Sequence, residues 1–203
     1  MKYSFKTVHF KKRFPLKISR GTISSSENLF MSVTNGDLLG WGEMAPGQTE
    51  GAKSAKIGQA MLEEFLENQD HGNSIFQTHN EANSSGVARC ALACLDIALW
   101  DLKAKKANMS LNDILGIPKV SIPTSLTLGI NKPEIIKERI PLMLEGTTIK
   151  ELKVKLGSKD GIEADKEMFA TVLECSKDYN VRLRVDANGG WSPDGARKMM
   201  FWL

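Results

Sequence analysis

Two short β-rich stretches place ionisable side chains at alternate positions. In Glu151-Leu152-Lys153-Val154-Lys155-Leu156 the strand period of two puts Leu152, Val154 and Leu156 on one face and Lys153 and Lys155 on the other. If the amines face an enclosed interior, each is partly desolvated and close to a like charge, and both effects lower a lysine pKa toward the range of a general base. If they face water, the pair is an ordinary solvated strand face. The stretch Arg182-Leu183-Arg184-Val185-Asp186-Ala187-Asn188 repeats the design, with Arg184, Asp186 and Asn188 on one face and Leu183, Val185 and Ala187 on the other. Asp186 falls at the C-terminal end of its strand, just before Gly189-Gly190, where a parallel barrel carries its active-site groups. A carboxylate there suits a hard cation such as Mg²⁺. Alternatively, Asp186 caps the loop and pairs with Arg184. Amines and a metal-ligand carboxylate at corresponding strand ends form a site for removing a proton next to a substrate carboxylate, because the metal holds the negative charge that develops on its oxygens.

The elements that must position these groups follow from periodicity and punctuation. From residue 124 onward the pattern alternates strand and helix: strands over 124–129, 149–155 and 181–187, and helices over 133–145 and 162–179, the signature of parallel βα units. Pro133 suits a first helical turn, Pro141 predicts a kink or early end, and Asp160 with Glu163 can form a capping box. Ser192-Pro193-Asp194 opens a third helix. Barrels of this kind run to about 250 residues, so three such units predict the beginning of something larger.

Residues 1–120 have a different character. Strand-rich runs over 3–10 and 28–34 precede Asn35-Gly36-Asp37, a hairpin signal that leads into Leu38-Leu39-Gly40-Trp41-Gly42-Glu43. A mobile loop is expected over 14–22, punctuated by Pro15 and Gly21. Helical spacing of apolar residues predicts helices over 52–66, 86–105 and 111–116, the second capped by Ser84 or Ser85, with 68–83 a loop or broken helix. Cys90 and Cys94 lie one helical turn apart without a second Cys or His pair to complete a zinc site, and are expected to be reduced core residues.

The 27 basic and 24 acidic residues are interspersed, leaving a net charge of +3 and no electrostatic case for nucleic acid or an anionic membrane. The first ten residues lack the apolar core of a signal peptide, and no apolar run approaches the roughly 18 residues of a membrane span. A cytoplasmic protein acting on a small molecule is expected, with assembly into a homo-oligomer left open.

Taken together, Gly40-Trp41-Gly42-Glu43, residues 96–103 and 111–116, Lys153-Val154-Lys155-Leu156-Gly157 and Arg184-Val185-Asp186-Ala187-Asn188-Gly189-Gly190-Trp191 resemble the muconate lactonizing enzyme branch of the enolase superfamily, across essentially the whole chain. The resemblance implies an α+β capping domain over residues 1–120, followed by an incomplete modified (β/α) TIM-type barrel over 121–203, the first three βα units. It implies Lys155 as the proton-abstracting base, Lys153 supporting it near the substrate carboxylate, Asp186 as the first Mg²⁺ ligand and Asn188 beside that ligand. Residues 14–22 match the loop that closes over substrate, and Ile18-Ser19-Arg20-Gly21 looks most like the dipeptide epimerases that act on alanyl-glutamate and related dipeptides. Arg20 would bind a substrate carboxylate, which a guanidinium fork suits, and Thr127 would contact substrate. The bland alternatives are an exposed loop residue and strand packing. Two further metal ligands, a second catalytic lysine and an Asp-x-Asp for the dipeptide ammonium are implied beyond Leu203, so this chain by itself is expected to be inactive. Cycloisomerisation of muconate, dehydration to o-succinylbenzoate and a non-catalytic fragment are the alternatives.

Overall fold

The computed structural model describes residues 1–70 and 72–203, which fall into two compact units. The first takes in residues 1–11 and 25–120, the second 12–24 and 121–203.

The first unit is built on most of a three-stranded sheet in the order β1 (Lys2–Ile18), β2 (Gly21–Asn35), β3 (Leu38–Met44), of which the hairpin end over residues 12–24 belongs to the second unit. Asn35 pairs with Leu38, so the β2–β3 turn is the two-residue loop Gly36-Asp37, as the hairpin signal predicts. Leu29, Met31 and Val33 alternate along β2 and are fully buried. Behind the sheet lies α3 (Arg89–Ala107), whose buried Leu92, Leu95, Ala98, Leu99 and Leu102 form the expected apolar stripe. Gly40 and Gly42 share one face of β3 and set how closely it meets this helix. A Cβ on Gly40 would lie 2.3 Å from the Ala98 carbonyl oxygen, and one on Gly42 would lie 1.9 Å from that of Cys94. Small side chains on both partners therefore bring strand and helix backbones into contact. The helices α1 (Ala55–Glu67), α2 (Ile75–Ser84) and α4 (Leu111–Leu115) complete the unit.

Two local expectations are overturned here, and one alternative left open is resolved. Residues 14–18 are strand rather than loop, and only Ser19-Arg20 separates β1 from β2. Pro15 is compatible with this because β1 is an edge strand, where a missing N–H can face away from the ladder. The polar stretch 68–83, expected as a loop or broken helix, is helix from Ile75 onward, because Ser74 and Gln77 form a reciprocal capping box that starts α2. Finally, Ser85 ends α2 rather than starting α3, which begins after Ala88 without a side-chain cap.

The second unit contains a parallel sheet in the order β4 (Ser125–Leu128), β5 (Glu151–Lys155), β6 (Arg182–Asp186), alternating with α5 (Pro133–Leu144), α6 (Ile162–Ser176) and α7 (Pro193–Trp202). Leu128, Leu152, Val154, Ile136, Ile140 and Val172 are among its buried core, so the apolar faces of the strands pack against the helices. Ser192 caps α7 through the Gly195 N–H, as expected. Of the two outcomes expected at Pro141, the early end does not occur, since α5 runs through it to Leu144, and one expectation fails, because Gly161 stands at the start of α6 with no Asp160–Glu163 capping box. None of the described helices is long and apolar enough to cross a membrane.

Candidate active site

Parallel pairing sets the polar side chains of the second unit in rows. Thr127 is in register with Lys153 and Lys153 with Arg184, while one step along, Lys155 is in register with Asp186. The apolar residues Leu152 and Val154 are fully buried on the opposite face, so both lysines lie on the side away from the helices. Lys155 is only 8% exposed and its Nζ donates to Asp186 Oδ2 at 2.7 Å. The alternative pairing of Arg184 with Asp186 is not seen. Arg184 and Arg182 instead both engage Glu151, the first residue of β5. Glu151 thus draws the arginines toward the start of the strands and leaves the lysine as the cation on Asp186.

The carboxyl of Asp186 is held below the usual carboxylate range, first by the Lys155 hydrogen bond and then by the Asn188 backbone N–H, which reaches Oδ1 at 2.9 Å; partial burial opposes both. Asp186 is therefore anionic at neutral pH. Asn188 takes a left-handed backbone conformation (φ 49°), and its side-chain Oδ1 is buried with no hydrogen-bond partner. Strand alternation does not extend to Asn188, which lies beyond the end of β6 at Asp186 in a left-handed turn, and the orphaned oxygen belongs to that turn.

Residues 12–24 bring a further group to this end of the unit. Ser19, at the tip of the β1–β2 turn, donates its hydroxyl to the Asn188 carbonyl at 3.1 Å. A Cβ on Gly190 would lie 2.8 Å from that of Ser19, so the tip rests on the loop that follows Asp186. Arg20, next in the turn, is exposed and pairs with no acidic side chain among the described residues. Lys153, Lys155, Thr127, Asp186 and Asn188 are thus gathered by one sheet, and Arg20 by a hairpin seated against its loop.

Sequence inspection missed Asp165. It is 1% exposed and accepts hydrogen bonds from the Gly157 and Ser158 backbone N–H groups and from Trp191 Nε1. The available signal was its spacing, since Ile162, Asp165, Met168, Phe169 and Val172 form one helical stripe in which Asp165 is the sole charge.

Magnesium prefers near-octahedral oxygen ligation. Asp186 and the unpartnered Asn188 Oδ1 are donors of the right kind, and the depressed carboxyl keeps the first of them anionic. Their number is too small, because no group of three His, Cys, Asp or Glu able to hold a metal occurs among the described residues. These residues fit part of a magnesium site and would need ligands from elsewhere to complete it.

The sequence profile of the family described as "Mandelate racemase / muconate lactonizing enzyme, N-terminal domain" matches residues 2–116. A "Hydrophobic dipeptide epimerase" from Flavobacteria bacterium (strain MS024-2A) is 52% identical over 203 residues, all of this chain and 58% of the relative. A protein of the same description from Roseobacter litoralis is also 52% identical, with the same coverage of both chains. Among solved structures, a dipeptide epimerase from Enterococcus faecalis V583, complexed with Mg and the dipeptide L-Leu-L-Tyr, superposes with a TM-score of 0.86 at 28% identity, covering 99% of this chain and 57% of the other. The chain therefore spans somewhat more than half the length of the relatives it matches.

Proposed function

The chain belongs to the mandelate racemase / muconate lactonizing enzyme family, and from that premise we propose that the full-length protein is a Mg²⁺-dependent dipeptide epimerase. In this proposal residues 1–120 are a capping domain and residues 121–203 the first three βα units of an incomplete barrel. The observation that carries it is the convergence of Lys153, Lys155 and Asp186 on one face of a parallel sheet, with Lys155 and Asp186 in contact at 2.7 Å.

Lys155, nearly buried at a strand end, would take the α-proton of the substrate once its amine is free of both its own proton and Asp186. The electron pair left behind moves into the substrate carboxylate. Lys153, next on the same face, would place its ammonium beside those oxygens, with Thr127 in register on the neighbouring strand to contact the substrate. Arg20 would bind a carboxylate through its unpaired guanidinium. Asp186, with Asn188 beside it, would hold Mg²⁺ together with ligands outside this chain; when bound, the ion supplies positive charge against the developing negative charge. A second lysine outside this chain, in its protonated form, would deliver a proton to the opposite face.

An alanyl-glutamate-like dipeptide is the substrate class that Arg20 and its turn suggest, whereas the relatives' descriptions favour an apolar dipeptide. We place the enzyme in the cytoplasm, with which its free cysteines agree. Incubating the full-length protein and Mg²⁺ with apolar L,L-dipeptides and with L-Ala-L-Glu, followed by chiral separation, tests the proposal. Inversion at one α-carbon is expected. If every dipeptide stays intact in configuration while muconate or an o-succinylbenzoate precursor turns over, the site is right and the reaction is wrong.

A further inference from the structure

Asp165 has no place in the proton transfer just described, yet it is a nearly inaccessible carboxylate. Its Oδ2 accepts from the Gly157 N–H at 2.9 Å and Trp191 Nε1 at 2.7 Å, and its Oδ1 accepts from the Ser158 N–H at 3.0 Å. No lysine or arginine forms an ion pair with it among the described residues. A buried carboxylate without a cation is costly unless its oxygens are fully hydrogen-bonded, and here three N–H donors provide that.

The donors come from two loops. Gly157 follows Lys155 by two residues, and Trp191 follows Asp186 by five. The loops also touch through their backbones: a Cβ on Gly157, which has φ +81°, would lie 2.5 Å from the Ala187 carbonyl oxygen, and one on Gly190 would lie 2.7 Å from the Gly157 oxygen. Between them, the Leu156 N–H donates to the Asp186 carbonyl at 3.0 Å. Where the backbones touch, Gly157 and Gly190 have no side chains with which to fix the register of the loops. Asp165, projecting from the first turns of α6, joins both at once.

We infer that Asp165 is a positioning residue that sets the Lys155 amine against the Asp186 carboxylate by clamping the loops after β5 and β6. The inference rests on the proposed epimerase for its catalytic readout but not for its metal readout. Asp165→Asn keeps the shape while replacing one acceptor oxygen by an amide donor, so at least one loop N–H meets a donor in place of an acceptor. Trp191→Phe removes one donor and leaves the carboxylate its two backbone partners.

The test compares both variants with wild type in the full-length protein, using circular dichroism, thermal melting, steady-state kinetics on the dipeptide turned over best, and calorimetric titration with Mg²⁺. The expected result for Asp165→Asn is a native spectrum, a kcat lower by about 10-fold to 100-fold with KM little changed, and weaker Mg²⁺ binding; Trp191→Phe shifts both in the same direction by less. A clamp that only stabilises the fold would lower the melting temperature and leave kcat per folded molecule and Mg²⁺ affinity at wild-type values, which would overturn the inference. Should Asp165→Asn not fold, Trp191→Phe alone decides between these outcomes. Should wild type invert no dipeptide, the proposed reaction falls, and Mg²⁺ affinity in the variants still decides the role of Asp165.

Discussion

Arg20 and Cys94 are opposite cases of a reactive side chain. The guanidinium of Arg20 is exposed and has no acidic partner among the described residues, beside a serine that bonds to the site loop, so in the proposed role its removal should cost substrate binding rather than chemistry. Loss of one charged hydrogen bond costs about 1.5–3 kcal/mol, so Arg20→Ala is expected to raise KM by roughly tenfold or more with kcat largely kept, as steady-state kinetics will show. Cys94 is fully buried, and burial is the main cause that pushes its thiol up from 9.0 to about 12. Because the folded value is the raised one, the thiol's contribution to stability is complete below pH 9.0 and is lost as pH rises toward about 12. Native protein at pH 8 should leave Cys94 unlabelled by iodoacetamide, with labelling appearing on denaturation. Rapid native labelling, read by mass spectrometry, would contradict the burial.

At the scale of elements, the contact between β3 and α3 depends on glycines that leave no room for a side chain. Gly42→Ala forces the strand from the Cys94 carbonyl and is expected to destabilise the protein by about 1–3 kcal/mol, measurable by denaturant unfolding. The strands bearing the candidate site were legible because period-two alternation is a direct geometric consequence of the pleat. It assigned Lys153, Lys155, Arg184 and Asp186 to their faces without tertiary information. Helix starts were less legible. Ser74, Ser84, Ser85 and Asp160 are all competent caps by type, and the choice among them depends on which backbone N–H groups the rest of the chain leaves open. Strand 14–18 was hidden by Pro15, whose tolerance depends on β1 being an edge, a fact of the assembled sheet. Asp165 was hidden for a related reason, since its three donors are distant in sequence or belong to the backbone.

Across the whole molecule, the ligands proposed for Mg²⁺ would limit what this chain does by itself. Among the described residues, Asp186 with the Asn188 amide oxygen beside it would give an incomplete magnesium shell, so calorimetry should find weak or no Mg²⁺ binding to the 203-residue chain and markedly tighter binding to a protein of the relatives' full length. Tight binding by this chain would contradict the incomplete-site account. The role proposed for Lys155 is tested most directly by proton NMR of the substrate α-hydrogen in D₂O with the full-length protein and Mg²⁺. That role requires exchange of the hydrogen with wild type, and with Lys155→Ala a fall of about 10²–10⁴-fold in the exchange that depends on this base. Exchange at the wild-type rate in Lys155→Ala would contradict it.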